Sequence, residues 1–485
     1  MLTIEGCIPI AYCSAAAYNG ADTTEGFSGM TQLQELDQAI ETRLEASLAD
    51  LSRLCAQPSI AAQDLGMSEC AELVGQLLEA RGFDVEIMPS HGQPIVYAER
   101  KGRSDRTLLF YNHYDVQPPD PLELWHSPPF EPTRREGKLF ARGVSDDKGH
   151  LVCRLAAIDA FLEAEDELPC SVKFVIEGEE EIGSINLPEF VVNHQELLKA
   201  DACVWEFGGV DHEDTPVQVA GLRGICYVEL SVRTAIRDAH SGLGGSIFPN
   251  AAWRLIWALS TLKGPDEHIQ LPGFYDRVLP PSKRDLELLS RLPESSDTLK
   301  RIYGLTDFIK GLEGGLDLER EAIFSPTCTI CGLTSGYQGP GTKTVLPALA
   351  SAKVDFRLVP DQDPEEVALL LRDHLDSEGF PDVEITYLGG EKPARTDLDD
   401  PFLRLVVESA REVYGEPQRI EPMSGGSGPN HPFIHTLGLP VATAGLGYPE
   451  GNVHAPNENI RIDLFEKAIK HTVRIMHSFS IEEIG

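Results

Sequence analysis

Apolar positions recur at helical spacing through Leu33, Leu36, Ile40, Leu44, Leu48 and Leu51, which predicts an amphipathic helix starting just after Met30. Beyond it, helical patterns and short apolar runs alternate. Residues 71–81 read as a helix, 85–88 and 95–97 as strands, and 107–111 as an apolar strand that runs into His113. An amphipathic helix is expected over 149–164, a strand over 172–177 that ends in a glutamate cluster, and a strand over 202–205 that ends at Glu206. Such alternation predicts an α/β fold, a mainly parallel sheet with helices on both faces. Ligands gather beyond the carboxyl ends of the strands in open sheets of this kind.

The pattern changes at Gly221-Leu-Arg-Gly224. A long alternating strand is expected over 225–232, a helix over 251–262, a strand over 351–359 and a helix over 364–378; residues 264–330 show little periodicity. The last part returns to the first pattern, with a helix over 401–414, a glycine-rich loop at Ser424-Gly-Gly-Ser-Gly428, a strand over 441–444 and a helix over 464–479. The expected organisation is a flexible extension (1–29), a first catalytic part (30–217), an inserted smaller α+β domain (218–392) and a second catalytic part (393–485). Met1 to Gly29 contains no Lys or Arg, so a secretory leader is not expected there; the segment reads as a tail, or as sequence upstream of a start at Met30.

Composition narrows the classes. The chain has 485 residues, too many for one core, and its 42% hydrophobic and 24% charged content is that of a globular protein. No apolar run is long enough to span a bilayer, so no membrane partner is expected. A net charge of −36 argues against nucleic acid as partner, since phosphate binding needs clustered Lys and Arg. The ten cysteines follow no framework spacing. Cys328-Thr-Ile-Cys331 stands alone in a strand-like run, so reduced thiols in the cytoplasm are expected.

The candidate chemistry sits at the predicted strand ends. His113 and Asp115 lie two apart, so Asp115 can receive the free N–H of the His113 imidazole. Asp146 and Asp147 occupy a tight Gly-Val-Ser-Asp-Asp-Lys-Gly turn, where helix capping is the plainer reading and a carboxylate bridging cations the functional one. Glu177, Glu179, Glu180 and Glu181 crowd together after a buried-type strand, a repulsion that cations or protons must offset. One of them as ligand and its neighbour as base is a natural division. His454 lies in a late loop, and Arg357 in an alternating strand, where an inward guanidinium needs an anion. Gly336-Tyr-Gln-Gly-Pro-Gly-Thr-Lys-Thr344, Gly445-Leu-Gly-Tyr-Pro-Glu-Gly451 and Ser427 in Gly-Gly-Ser-Gly each miss the spacing of a phosphate loop, a dinucleotide loop and a nucleophile elbow.

Taken in order, His-x-Asp, Ser-Asp-Asp-Lys-Gly, Glu-Gly-x-Glu-Glu-x-Gly-Ser, Asp-x-His-Ser-Gly and the late His resemble the M20 family of metallopeptidases, and within it the carnosinase-like dipeptidases. The resemblance runs from about Met30 to the C-terminus. It implies a zinc-exopeptidase fold with an inserted lid and dimerisation domain. It implies two divalent cations, zinc first and manganese or cobalt as alternatives. One would be held by His113, Asp146 and Glu206, the other by Asp146, Glu181 and His454. It further implies Glu180 as general base, Asp115 orienting His113, and His240 contacting the reacting carbonyl, from a partner subunit in dimeric relatives. Thr344, Arg357 and Ser427 match substrate-binding positions, with Arg357 on the C-terminal carboxylate.

One position departs from the pattern. Dipeptidases of the family usually carry Asp where this chain has Glu206, and Glu there resembles the aminoacylase and glutamate carboxypeptidase branches; Asp201 or Asp211 could also fill that place. The expected function is therefore hydrolysis of a dipeptide or short peptide. N-acyl-amino-acid deacylation or carboxypeptidase activity is the alternative, and an inactive binding protein the remote one. A homodimer is the expected assembly.

Overall fold

The computed structural model describes residues 24–481. Helix α1 (Thr24–Ala56) begins earlier than the expected start after Met30. Residues 24–29 hold no apolar stripe that periodicity could report, and the rest of the expected flexible extension lies outside the described residues. Next come α2 (Met67–Glu79), β1 (Asp84–Met88), β2 (Ile95–Arg100), β3 (Ser104–His113), α3 (Lys148–Glu165), β4 (Cys170–Glu177) and β5 (Ala202–Trp205). The chain then forms β6 (Gly221–Arg233), α4 (Ala251–Leu259), β7 (Thr327–Ser335), β8 (Leu349–Leu358), α5 (Pro364–Ser377) and β9 (Glu384–Glu391). It returns through α6 (Pro401–Ser409) and β10 (Val441–Thr443) to α7 (Ile462–Ile481).

The first sheet has the order β1-β2-β4-β3-β5-β10. From β4 to β10 all pairs are parallel, and β1 and β2 form an antiparallel edge. Parallel strands covered on both faces read as unbroken apolar runs, and every residue of β4 is buried. One face packs Leu108, Phe110, Phe174 and Ile176 against α1, α3 and α7; the other packs Leu109, Tyr111 and Trp205 against Leu187, Phe190 and Phe433. The chain crosses from β3 to β4 through α3, so β3, β4 and β5 all end at the same sheet edge, at His113, Glu177 and Glu206.

The second sheet, β7-β8-β6-β9, is antiparallel. Cys226, Val228, Leu230 and Val232 of β6 face a core with α4 and α5, while the alternate residues are half-buried. Period-2 burial of this kind is why β6 was readable as an alternating strand. Residues 264–330, where no periodicity was found, contain the short helices Lys283–Leu289, Ser296–Tyr303 and Gly315–Phe324 before β7. These helices bury few apolar residues, Leu288 and Leu289 in the first and Leu318, Ile323 and Phe324 in the third, so little of their pattern is set by a core. Ser424–Ser427 pairs in parallel with the start of β6, which ties the glycine-rich loop to the second sheet.

Phe174 is fully buried, stacks on Phe110 at 5.1 Å between centroids and meets Phe83 edge-on at 5.5 Å. Phe174→Ala is expected to cost about 3–5 kcal/mol of stability, read by urea unfolding.

Candidate active site

The sheet edge at which β3, β4 and β5 end is where the structure gathers most of the expected residues. The carboxylate of Asp146 lies between two imidazoles: Oδ1 is 3.0 Å from His113 Nε2 and Oδ2 is 3.0 Å from His454 Nε2. His454 Nε2 is also 3.0 Å from Glu181 Oε2, and Glu206 Oε2 is 4.0 Å from His113 Nε2. Asp115 follows the end of β3 rather than sharing the strand. Its Oδ1 stands 3.3 Å from His113 Nδ1, whose other neighbour is the Asp115 carbonyl at 3.1 Å. The same carboxylate accepts the amides of Glu180 at 3.2 Å and Glu181 at 3.0 Å. Asp115 thus joins the end of β3 to the turn after β4. The Asp146–Asp147 peptide is cis.

These groups open onto a cavity of about 530 Å³, lined among others by Asp146, Glu180, Glu206, Ser427, Tyr448 and His454. Arg357 stands behind Ser427 and donates to its hydroxyl from Nη1 at 2.8 Å; Asp355 is 3.7 Å from its Nε. The anion expected for this inward guanidinium is thus only partly supplied from within the chain. His240 and Thr344 do not line the cavity. Both exposed, they face each other at 3.5 Å where two short paired strands, Ala239–His240 and Val345–Leu346, meet the neighbouring loops. Of the alternatives weighed against Glu206, Asp211 pairs with Arg419 at 2.6 Å and Asp201 accepts the Thr107 amide at 2.7 Å.

A family model described as Peptidase family M20/M25/M40 matches residues 109–478. The chain belongs to this family and is a peptidase. The human Beta-Ala-His dipeptidase is 28% identical, with 79% of each chain covered. The Cys-Gly metallodipeptidase dug1 of Schizosaccharomyces pombe is 28% identical over 92% of this chain and 98% of its own. A solved M20 family metallo-carboxypeptidase from Sulfolobus solfataricus superposes with a TM-score of 0.86 at 37% identity, covering 90% of this chain and 99% of that one. Among the described residues no helix is long and apolar enough to cross a membrane.

The crowding of this M20 site calls for positive charge. Burial raises the Glu180 carboxyl well above its usual range, and the charges of Asp146, Glu181 and Asp115 raise it further against the opposing pull of His113. Burial likewise raises Glu206, with Glu180 adding to it. Asp146 goes the other way: against the effect of burial, the hydrogen bonds from His113 and His454 hold it well below the usual carboxylate range. Glu206 Oε2 is buried with no hydrogen-bond partner. The ligand-capable atoms fall into the groups His113, Asp147, Glu206 and Asp146, Glu181, His454, so Asp147 stands in the first group where Asp146 was expected, although Asp146 Oδ1 also lies 3.0 Å from His113 Nε2. Carboxylate oxygens and imidazole nitrogens are a donor set that divalent cations take, so the residues present fit a pair of them.

Several contributors were missed from the sequence. Asp147 Oδ2 accepts from Asn112 Nδ2 at 2.7 Å and from the His113 amide at 3.0 Å, so it holds the neighbouring turn in place. Gln117 donates to Glu181 Oε2 at 2.9 Å. Glu458 accepts the backbone amides of the Asp146 turn. The rest of the glutamate cluster is accounted for within the fold: Tyr111 and Ser184 hydroxyls donate to Glu177, and Asn186 donates to Glu179.

A cation that binds only the folded chain stabilises it by about 2.7 kcal/mol at a hundredfold excess over its Kd. Zinc, manganese or cobalt added to chelator-treated protein is expected to raise the melting temperature, and fresh chelator to reverse the rise.

Proposed function

We propose that this peptidase hydrolyses the amide bond of dipeptides or short peptides, with a pair of divalent cations and Glu180 as general base. Zinc is the first choice, with manganese or cobalt as alternatives. The observation that carries the reading is the Asp146 carboxylate spanning His113 and His454, with Glu180 on the wall of the same cavity. His113, Asp146 and Glu206 would hold one cation, and Asp146, Glu181 and His454 the other. Bound there, the cations would supply Lewis acidity to the scissile carbonyl and to a water.

The chain's own residues supply the other steps. Arg357, with Ser427 beside it, binds the substrate's terminal carboxylate through its guanidinium, a charge-assisted contact. That anchoring places the scissile carbonyl over the cluster. Glu180, its carboxyl raised by burial, accepts a proton from the attacking water and returns it to the leaving nitrogen. Asp115 keeps the His113 ring oriented and holds the amide of Glu180, so base and ligand share one support.

The alternative is removal of an acyl group from an N-acyl amino acid, or a broader carboxypeptidase activity. Glu206 favours it, as does the solved relative described as a metallo-carboxypeptidase. Against an inactive binding protein, every expected ligand and the expected base remain in the cluster.

Residues 30–217 and 393–485 would form the catalytic unit, and 218–392 the lid through which two copies pair. Trp253 and Trp257 stack at 5.9 Å on α4, each about half exposed, and Ile330 and Leu333 of β7, in the same sheet unit, are exposed as well. Apolar surface of this kind marks a contact face. Through it the partner would bring His240 and Thr344 to the cavity they do not reach within one chain. The free thiols of the described cysteines support a cytoplasmic location.

Glu180→Gln is expected to retain its metal and to lose about 10²–10⁴ in kcat, measured on a panel of dipeptides beside N-acetyl amino acids. Full activity would remove Glu180 as base; cleavage of the acyl substrates alone would favour the alternative. Arg357→Ala is expected to lower kcat/KM by about 10–100-fold for free-carboxylate substrates, the scale of a charged hydrogen bond, and to spare C-terminal amides. Sizing in solution is expected to give a dimer that Trp257→Glu converts to monomer, and a monomeric wild type would overturn the shared site.

A further inference from the structure

The loop that carries His454 is held in an unfavourable backbone. Asn452, His454 and Asn457 all have positive φ, His454 at +61°, a conformation that asparagine tolerates and that crowds the Cβ of histidine. Such outliers persist only where their surroundings hold them. The loop is closed at its base by the Asn459 amide on the Gly451 carbonyl at 2.8 Å. Between these points stands Glu458, fully buried.

The Glu458 carboxylate is saturated by the opposite loop. Oε2 accepts from Arg142 Nη1 at 2.8 Å and from the Gly143 amide at 2.8 Å; Oε1 accepts from the amides of Ser145 at 2.9 Å and Asp146 at 3.0 Å. Its backbone carbonyl also accepts the Ala141 amide at 3.2 Å. The side chain therefore fastens the turn that presents Asp146 to the loop that presents His454. Gly143 belongs to the same arrangement: at φ +79° a Cβ there would come within 2.5 Å of Val116. The turn has one shape, and Glu458 is its template.

We propose that Glu458 is a positioning residue that sets the spacing between Asp146 and His454, and so governs the cation held by Asp146, Glu181 and His454 more than the one held by His113, Asp146 and Glu206. The inference rests on the paired-cation reading. Glu458 touches neither cation nor substrate. A glutamine in its place keeps the volume but turns an NH2 toward backbone N–H groups, so only half of the donors remain satisfied. A turn released on one side no longer places the Asp146 oxygen that faces His454.

The test is a titration of chelator-treated protein with cobalt(II), followed by visible absorption, beside thermal melting. Wild type is expected to bind two ions per chain in distinguishable steps, and His454→Ala identifies which step belongs to the site of Glu181. In E458Q that step is expected to weaken by about 10–100-fold, the usual effect of removing a group that orients ligands, while the other step moves by less than about threefold. E458D, which keeps the charge, is expected to recover part of the loss. Wild-type affinities in E458Q would overturn the proposal, and so would an equal loss at both steps that tracks a fall in melting temperature, since that is a purely structural role. Should E458Q fail to fold, E458D is judged by the same two criteria. A wild type that binds fewer than two ions fails the paired-cation reading itself, and the inference with it; two ions in wild type with no selective loss fails the inference alone.

Discussion

The site depends on concentrating negative charge where water is scarce. Asp115, Asp146, Glu180, Glu181 and Glu206 converge at one sheet edge, and Asp115 and His113 are completely buried. Within the chain, the positive partners of this cluster are the imidazoles of His113 and His454, drawn to Asp146 from either side. Carboxylates so close together repel one another strongly unless cations or protons compensate. Burial, and then the neighbouring carboxylates, raise the carboxyls of Glu180 and Glu206, whereas hydrogen bonds from His113 and His454 hold that of Asp146 down. A group kept out of contact with the imidazoles is left able to take a proton, and a group between them is left able to be shared.

Holding such a cluster together requires rigid support, and the fold supplies it through buried polar groups at the bases of loops. Asp147 locks Asn112 and the His113 amide, Asp115 locks the turn of Glu180 and Glu181, and Glu458 locks the turn of Asp146. Lys148, fully buried, donates to the carbonyls of Leu54 and Gln57 and so pins the start of α3 against the end of α1. Asp115, Glu458 and Lys148 are met mainly by backbone groups, which ties the geometry of the site to the main chain instead of to flexible side chains. The second sheet enters through Arg357 on β8 and through Ser427, whose segment pairs with β6. The anchor proposed for substrate is thus carried by a different sheet from the carboxylate cluster.

Much of this was legible along the chain. The apolar runs of β3, β4 and β5 and the helical pattern of α3 stood out because parallel strands and their crossover helix are buried and must be apolar at the period of their own geometry. His113, Asp146, Glu180 and Glu181 could be named because each lies next to such an element in a recognisable motif, and His454, in a late loop, only through the family resemblance. Glu206 lacked a motif and rested on its place after a strand; the structure puts it 4.0 Å from His113, while Asp201 and Asp211 are engaged elsewhere. The helices between 283 and 324 were illegible because few of their residues are apolar and buried.

By itself the sequence determined the kinds of chemistry available and the elements at whose ends they sit, since element periods and ligand types are local properties. Only the tertiary structure decided what each of the site's carboxylates faces. Asp147 beside Asp146, or Glu177 beside Glu180, differs from its neighbour only in what the fold places against it, from Asn112 to Tyr111 and Ser184. Glu458 is the clearest case: its partners lie more than three hundred residues away along the chain, and contacts of that kind come into being only when both loops have been brought to the same sheet edge.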